Sequence, residues 1–351
     1  MIRFLAKRLF YGFLVLLGVV CLVFILFVAL PSPEQASLGQ RSDVSTAEAV
    51  KKEMGLNLPR GQQFLLYLND VSPISFHEKS NSNKSKYGYL SIFTIAGNTM
   101  VLKKPYLRTS YQSKRMVSDI LTDAFLGTFV LALSALLLAI LLGVSLGIVA
   151  ALKHNSWIDH LSLFVSTIGI SLPSFFSSII IAWLFGFVLS EYTGLSLSGS
   201  LYDYDVLGDE KTIQWRNLIL PAIALGIRPF AILTQLTRSS MIEVMGQDYI
   251  RTARAKGLSN TQVVLNHALK NALNPVVTAI SGWFASMLAG AFFVEIIFNW
   301  KGLGKVTIEA LQKSDLPVIM GSVLFVAFLF VMINIVVDVM YKYLDPRVEL
   351  S

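Results

Sequence analysis

The chain is short of the residues from which most enzymes and metal sites are built. Its single cysteine, Cys21, lies inside an apolar run, which excludes a disulfide framework and a cysteine-based metal site and leaves a small hydrophobe. The four histidines, His77, His154, His160 and His267, show no metal-ligand spacing. Charge is scarce too: 15% of the 351 residues are Asp, Glu, Lys or Arg, against roughly 25% in a soluble domain. No H-E-x-x-H is present, and the G-x-S-x-G at Gly143-Val144-Ser145-Leu146-Gly147 lies within an apolar run and not at a strand-to-helix turn, so neither motif supports an intramembrane hydrolase. The KGLGK stretch at 301–305 is no phosphate-binding loop, because that motif requires glycine where Asn299 stands and Ser or Thr where Val306 stands.

What the chain has is apolar length. Hydrophobic residues make up 54% and the mean hydropathy is +0.62. Apolar runs alternate with polar stretches, and a helix crossing hydrocarbon needs about 20 mostly apolar residues. Six runs qualify: 9–30, 125–151, 161–190, 218–241, 275–298 and 317–341. The first follows Arg3, Lys7 and Arg8 as a signal peptide would, but its length far exceeds the roughly 7–15 residues of a signal core, so it reads as a retained span. Six spans place both termini on one side.

Basic residues choose the side. The N-terminal tail is basic without acid, and the segment between spans four and five carries Arg251, Arg254, Lys256 and Lys270. The loop after span three instead holds Glu191, Asp203, Asp205, Asp209 and Glu210 against Lys211 and Arg216. Both termini are therefore expected in the cytoplasm. One loop resists the rule: residues 31–120, expected outside, hold twelve Lys/Arg against seven Asp/Glu. Loops of this length translocate largely regardless of charge. Trp157, Trp215 and Trp300 fall at span ends, where indoles favour the interface.

Residues 31–120 are too many for a simple connection and predict a small external subdomain of mixed structure. Apolar spacing over 46–68 is helical, with a break at Pro59-Arg60-Gly61. The SNSNKSK stretch at 80–86 reads as a polar loop, and 87–102 alternates as a hairpin does.

The most informative stretch, 246–275, is too polar to enter the bilayer and too regular for a slack loop. Residues 248–256 form a short helix stopped by Gly257, a residue suited to the left-handed conformation. Ser259 caps a second helix, with Gln262 three residues on as a capping box requires. Such an element suits a lid closing the bundle or a docking helix. A DNA-binding role is excluded by the tether to the bilayer at both ends.

The run Asp248-Tyr249-Ile250-Arg251-Thr252-Ala253-Arg254-Ala255-Lys256-Gly257-Leu258, with His267-Ala268-Leu269-Lys270-Asn271-Ala272 downstream, resembles the cytoplasmic loop of ABC importer permeases of the dipeptide/oligopeptide branch. Arg251-Thr252-Ala253 and Gly257 occupy the positions of the Glu-Ala-Ala and spaced Gly that name that loop. Arg238-Ser239-Ser240-Met241, Val294-Glu295, Trp300-Lys301-Gly302-Leu303-Gly304 and Leu344-Asp345-Pro346-Arg347 fit the same branch, and Gly55-Leu56-Asn57 with Pro59 and Gln63 does so more weakly. Pro31-Ser32-Pro33-Glu34 stands where these permeases usually have a Pro-Gly-Asp-Pro-like stretch, and residues 71–117 match nothing in the branch.

The resemblance implies an all-α membrane protein with six transmembrane helices, a cytoplasmic coupling helix–turn–helix and a mixed external subdomain after helix 1. Its parts are a tail and first span (1–30), the external segment (31–120), a permease core (121–347, with the coupling loop at 242–274) and a short tail (348–351). It implies work in the bacterial inner membrane beside a second homologous permease, two cytoplasmic ABC ATPases and a solute-binding protein. The chain itself then needs no cofactor, since ATP and Mg are bound by the ATPases, and is no enzyme. Asp248, Tyr249, Ile250, Arg251, Thr252, Ala253, Arg254, Lys256 and Gly257 become the ATPase-coupling residues. Arg251, Arg254 and Lys256 suit acidic groove residues, while Tyr249, Ile250 and Ala253 suit apolar contact.

Candidates for the solute path are Arg228, Ser171, Ser174 and Ser178. A mid-span arginine must face protein or water, so Arg228 either binds a solute carboxylate or forms a structural pair, for which Glu295 is available. Ser and Pro173 in span three also serve packing and kinking. Gly143 and Gly147 form a GxxxG suited to helix packing. A self-sufficient secondary transporter or channel would show paired broken helices or a chain of intramembrane carboxylates. The sequence has neither, since Glu295 and Asp338 lie toward span ends.

Overall fold

The computed structural model describes residues 2–29, 57–78, 81–95, 98–204 and 211–344. In chain order the helices are α1 (Ile2–Ala29), α2 (Arg60–Val71), α3 (Asn81–Tyr87), α4 (Val117–Leu152), α5 (Trp157–Ser171), α6 (Ser174–Trp183), α7 (Arg216–Met245), α8 (Asp248–Ala255), α9 (Asn274–Gly290), α10 (Phe292–Ile297), α11 (Leu303–Gln312) and α12 (Leu316–Leu344). Strands β1 (Ile74–Glu78), β2 (Leu90–Ile95) and β3 (Asn98–Leu102) lie between α2 and α4, and β4 (Tyr202–Tyr204) pairs with β5 (Lys211–Ile213).

Among the described residues, four helical segments are long and apolar enough to cross a membrane: Phe4–Val28, Val117–Leu152, Arg216–Met245 and Leu316–Val339. Trp157–Ser171 and Ser174–Val188 together make a fifth if read as one span, although they meet at 108°. The single third span expected from 161–190 is thus two helices. Pro173 lacks an N–H to continue the first and starts the second as its N-cap. The expected fifth span is also interrupted, with α9 ending at Gly290 and α10 starting at Phe292.

The chain divides into two compact units, Met1–Ala124 with Val306–Val331, and Phe125–Lys305 with Met332–Ser351. In the first, the α1 side chains Val20, Val23 and Phe27 are buried with Tyr67 of α2 and Leu316, Met320 and Leu324 of α12. The antiparallel order β1-β3-β2 contains the expected hairpin and adds a strand that the sequence reading missed. The 80–86 stretch is not a loop but mostly helix α3. Tertiary contacts override its composition: the Tyr87 hydroxyl donates to Asp70 Oδ1 at 3.0 Å, its ring stacks on His77 at 4.2 Å, and Lys86 lies over the Tyr87 and Tyr106 rings. The 46–56 part of the expected helix lies outside the described residues.

Asp70 is the hub of this unit. Besides Tyr87, its carboxylate meets Arg108 at 3.4 Å, and its carbonyl accepts from Lys103 Nζ at 2.6 Å and from the Tyr106 N–H at 2.9 Å. Asp315 does similar work, accepting from Ser110 Oγ and the N–H groups of Tyr111 and Gln112.

In the second unit α7 is the central helix, packing on α5, α6, α9 and α10. Small residues let backbones approach. A Cβ on Gly147 of α4 would come within 2.6 Å of Thr237 Cβ, and one on Gly143 within 2.9 Å of the Phe230 carbonyl oxygen. The expected GxxxG thus packs α4 against α7. Trp300 is fully buried and donates Nε1–H to the Gly127 carbonyl at 2.9 Å, so it is no interfacial anchor. Beside it, the fully buried Glu295 accepts from Thr128 Oγ1 at 2.6 Å and from the Lys305 N–H at 3.0 Å, while Thr128 Oγ1 accepts from the Leu303 N–H at 2.8 Å. The KGLGK stretch wraps this carboxylate so tightly that a Cβ on Gly302 would overlap it.

Two measurements test these locks. Glu295→Gln puts an amide donor where a carboxylate accepts, and Gly302→Ala forces the wrap open. Each is expected to lower stability by about 1–3 kcal/mol, and because both act on one contact the double variant loses less than the sum, read by thermal unfolding in detergent. In the first unit, burial, with Lys103 and Lys86 adding to it, pulls His77 below its ordinary value, and burial pushes Lys103 down to about 8. Between pH 8 and 10 the unfolded chain holds a proton at Lys103 that the folded chain has released, so stability rises with pH there. Above pH 10 the buried phenols of Tyr67 and Tyr87, pushed upward chiefly by burial, keep protons that the unfolded chain loses, and stability falls. Below pH 6.5 protonation of His77 in the unfolded chain also lowers it. Amide exchange of β3 in the whole chain should follow this profile, and Lys103→Met should flatten the rise between pH 8 and 10.

Candidate functional site

The residues between α7 and α9 fold as a platform. Asp248 stands in the first turn of α8, where a carboxylate favours the positive end of the helix, and Arg254 in the last. Gly257 takes φ +80° in open space, so the requirement there is conformational and not steric. Ser259 and Gln262 make both bonds of the capping box: the Gln262 N–H donates to Ser259 Oγ at 3.4 Å and the Ser259 N–H to Gln262 Oε1 at 3.1 Å. The second helix then continues through a π-helical turn, Val263–Ala268, to Leu269–Ala272.

Two of the expected partner contacts turn inward. Ile250 and Ala253 are buried with Met241, Val263, Val264, Ala268 and Ala272, so they seat α8 on its own platform and offer nothing to a partner. Their i, i+3 spacing puts both on one helix face, and the apolar positions of the second helix close over them. Tyr249 is half exposed, and its hydroxyl accepts from Asn271 Nδ2 at 2.9 Å, which braces α8 from the side. The outward surface consists of Arg251, Thr252, Arg254, Lys256 and Gly257, with Leu258 at its rim. Arg251 reaches Asp248 at 3.3 Å, an exposed pair too weak to tie up either charge.

A second cluster lies at the base of this platform, on helices that precede it. Arg238 of α7 binds Asp159 of α5 through both Nε and Nη2. Asp159 is completely buried and also accepts from the Asn155 N–H at 3.0 Å, with His154 Nδ1 3.1 Å away. The fork of an arginine fits a carboxylate in this two-point manner. The sequence reading quoted Arg238 within a motif but missed its partner, whose signal was an acid at the capped start of an otherwise apolar helix.

The path candidates separate. Ser171 and Ser174 flank the bend at Pro173, but Ser178 is fully buried and bonds back to the Ser174 carbonyl at 2.7 Å, which serves its own helix. Arg228 is exposed, with its guanidinium 5.8 Å from the centre of the Trp283 ring. The pairing of Arg228 with Glu295 does not occur, since Glu295 is enclosed by Thr128 and the 302–305 backbone.

Comparison with known proteins places this architecture. The family described as binding-protein-dependent transport system inner membrane component matches residues 143–350, and the corresponding N-terminal family matches residues 1–132. The chain is 34% identical to a dipeptide transport system permease protein of Alkalihalophilus pseudofirmus, covering 99% of this chain and 100% of that one. It is 34% identical to a di/tripeptide permease of Pseudomonas aeruginosa and 31% identical to a glutathione permease of Escherichia coli, covering 99% of each chain in both cases. Among solved structures, the MetNI methionine ABC transporter matches at TM-score 0.48 and 14% identity over 65% of this chain and 97% of that one, too slight a likeness to inform the fold. With four or five helical segments able to cross a bilayer, this is a multi-pass membrane protein. The chain belongs to the family of binding-protein-dependent transport system inner membrane components, the permease subunits of ABC importers.

Proposed function

We propose that the chain crosses the bacterial inner membrane six times with both termini in the cytoplasm, and that it carries peptides or similar small solutes. The angled pair α5–α6 supplies one crossing and the interrupted pair α9–α10 another. Its relatives named for dipeptides, di/tripeptides and glutathione support the solute class. It works with a second homologous permease, two cytoplasmic ATPases that bind ATP and Mg, and a solute-binding protein. The chain itself binds neither nucleotide nor metal and catalyses no reaction. A self-sufficient transporter is not favoured, because the family is one of subunits.

The observation that carries this reading is the geometry of α8. A short helix is held on its own platform by Ile250 and Ala253 and stopped by a glycine in the left-handed conformation, and it turns a basic face outward. That face suits an acidic groove on an ATPase. Because α8 is seated so firmly, a push on it moves the platform as a body, and α7 joins the platform directly. The Arg238–Asp159 bond then passes the displacement to α5. Arg228 stands on the same α7, where it holds the terminal carboxylate of a peptide.

Two variants test the two halves. Reconstituted with its partner subunits, the Arg254→Glu, Gly257→Pro chain is expected to insert normally but to lose complex assembly and ATP-dependent dipeptide uptake by at least about tenfold, equivalent to about 1.4 kcal/mol of docking energy. Normal uptake by that variant, or uptake by the wild type without any ATPase, sinks the reading. Arg228→Gln is expected to slow uptake of a dipeptide several-fold while leaving its C-terminal amide unaffected. Equal loss for both solutes would make Arg228 structural.

A further inference from the structure

The three-stranded sheet has two unlike faces. Ser75, His77, Thr99 and Val101 are buried on one. On the other, register aligns two apolar rows across all three strands: Ile74, Leu102 and Leu90 in one, Phe76, Met100 and Phe93 in the next. Strict alternation along β2 would put Phe93 with the buried set. The bulge at Ile92 shifts the register so that Leu90 and Phe93 share a face. Phe76 is 59% exposed and Leu90 73%, and apart from the half-buried Met100 the other three are close to half exposed. A contiguous apolar surface of several hundred Å² is the size that marks an interaction site.

Charge and tether identify the occupant. Residues 57–116 contain nine Lys/Arg against two Asp/Glu, and of the two acids Asp70 is buried in the hub. Lys84 on α3 and Lys104, two residues past the end of β3, are exposed. A protein partner for so basic and apolar a surface would need to be acidic and greasy at once. An anionic bilayer surface is both, with phosphates over an apolar interior, and each surface lysine adds about 1 kcal/mol of attraction to it. The bilayer is also already present. Helix α2 is packed on α1 through Val20, Val23 and Phe27, near the end of that span, and β1 begins three residues after α2 ends. A tether of that length keeps the sheet at high effective concentration beside the membrane.

We propose that this sheet face lies on the bilayer, its two apolar rows in the interfacial layer and the flanking lysines on anionic phosphate headgroups. The proposal rests on the reading of α1 as a membrane span. It also accounts for the positive charge of a segment that the charge rule would keep inside: the lysines hold the segment to lipid after translocation and do not set its side.

The test uses the whole chain with Cys21→Ser, carrying a nitroxide at Phe93→Cys, Gln62→Cys or Ile25→Cys in turn, in vesicles of phosphatidylcholine with phosphatidylglycerol. Ile25, exposed on α1, reports the span, and Gln62, exposed on α2, reports water. At Phe93 dissolved oxygen is expected to relax the label more than an aqueous nickel complex does, as at Ile25. Lys84→Glu with Lys104→Glu, or removal of phosphatidylglycerol, should lower that preference at least about twofold. If Phe93 instead behaves as Gln62 does while Ile25 remains oxygen-dominated, the sheet does not rest on lipid and the proposal falls, with the span intact. Shielding of Phe93 only when the solute-binding protein is added overturns it in favour of a protein contact. A nickel-accessible Ile25 removes the span and the proposal together.

Discussion

Hydrocarbon offers polar groups no partner, so a chain that crosses it must satisfy them internally. Here the hydroxyls of Ser162, Thr167, Ser177, Ser178, Thr234, Thr278 and Ser281 all bond back to a carbonyl three or four residues earlier in the same helix. The buried ones among them supply smallness with the hydroxyl satisfied, while the buried hydroxyls of Ser166, Thr237 and Ser322 have no hydrogen-bond partner among the described residues. The carboxylates Asp159 and Glu295 cannot be satisfied that way, and each is instead enclosed by donors from distant segments. The close approach of α4 and α7 at Gly143 and Gly147 and the closed polar networks are two results of the same constraint.

These networks differ in kind. Glu295 is held largely by backbone N–H and a threonine hydroxyl, with glycines where side chains would intrude, so the segment from α10 to α11 is fixed as one piece. Asp159 is held chiefly by the long side chain of Arg238, at two points, with the Asn155 N–H beside it. One carboxylate is thus enclosed mainly by backbone and the other mainly by a side chain.

Much of this was legible in the sequence because it is local. Apolar run length gave four of the six expected spans as single long helices, and Gly257, Ser259 and Gln262 gave the corner and the capping box, since their roles depend on neighbours within a few residues. What depended on distant partners was not legible. Strand β1 forms only by pairing with β3, helix α3 only because Tyr87 is held by Asp70 and His77, and the enclosure of Glu295 joins residues 128, 295 and 305. Trp300 was misread for the same reason: its sequence position suggests an interface, but Gly127 offers it a buried carbonyl. Ile250 and Ala253 were placed on the correct helix and the wrong side, because an amphipathic pattern says which residues share a face and not what covers it.

Arg228 and the lysines beside the sheet show how charge can be read in such a chain. A charge inside a span must be accounted for by a partner, by water or by a ligand, and Arg228 has the face of Trp283 with open space around it. An aromatic face steadies a guanidinium without neutralising it, so the charge stays available to an anion. Lys84 and Lys104 likewise remain exposed in the unit that carries the apolar sheet face. In both places an unneutralised positive charge stands next to apolar or aromatic surface. Such an arrangement fits a partner that is anionic at one end and apolar at the other, a description met by a peptide terminus in one case and a lipid in the other.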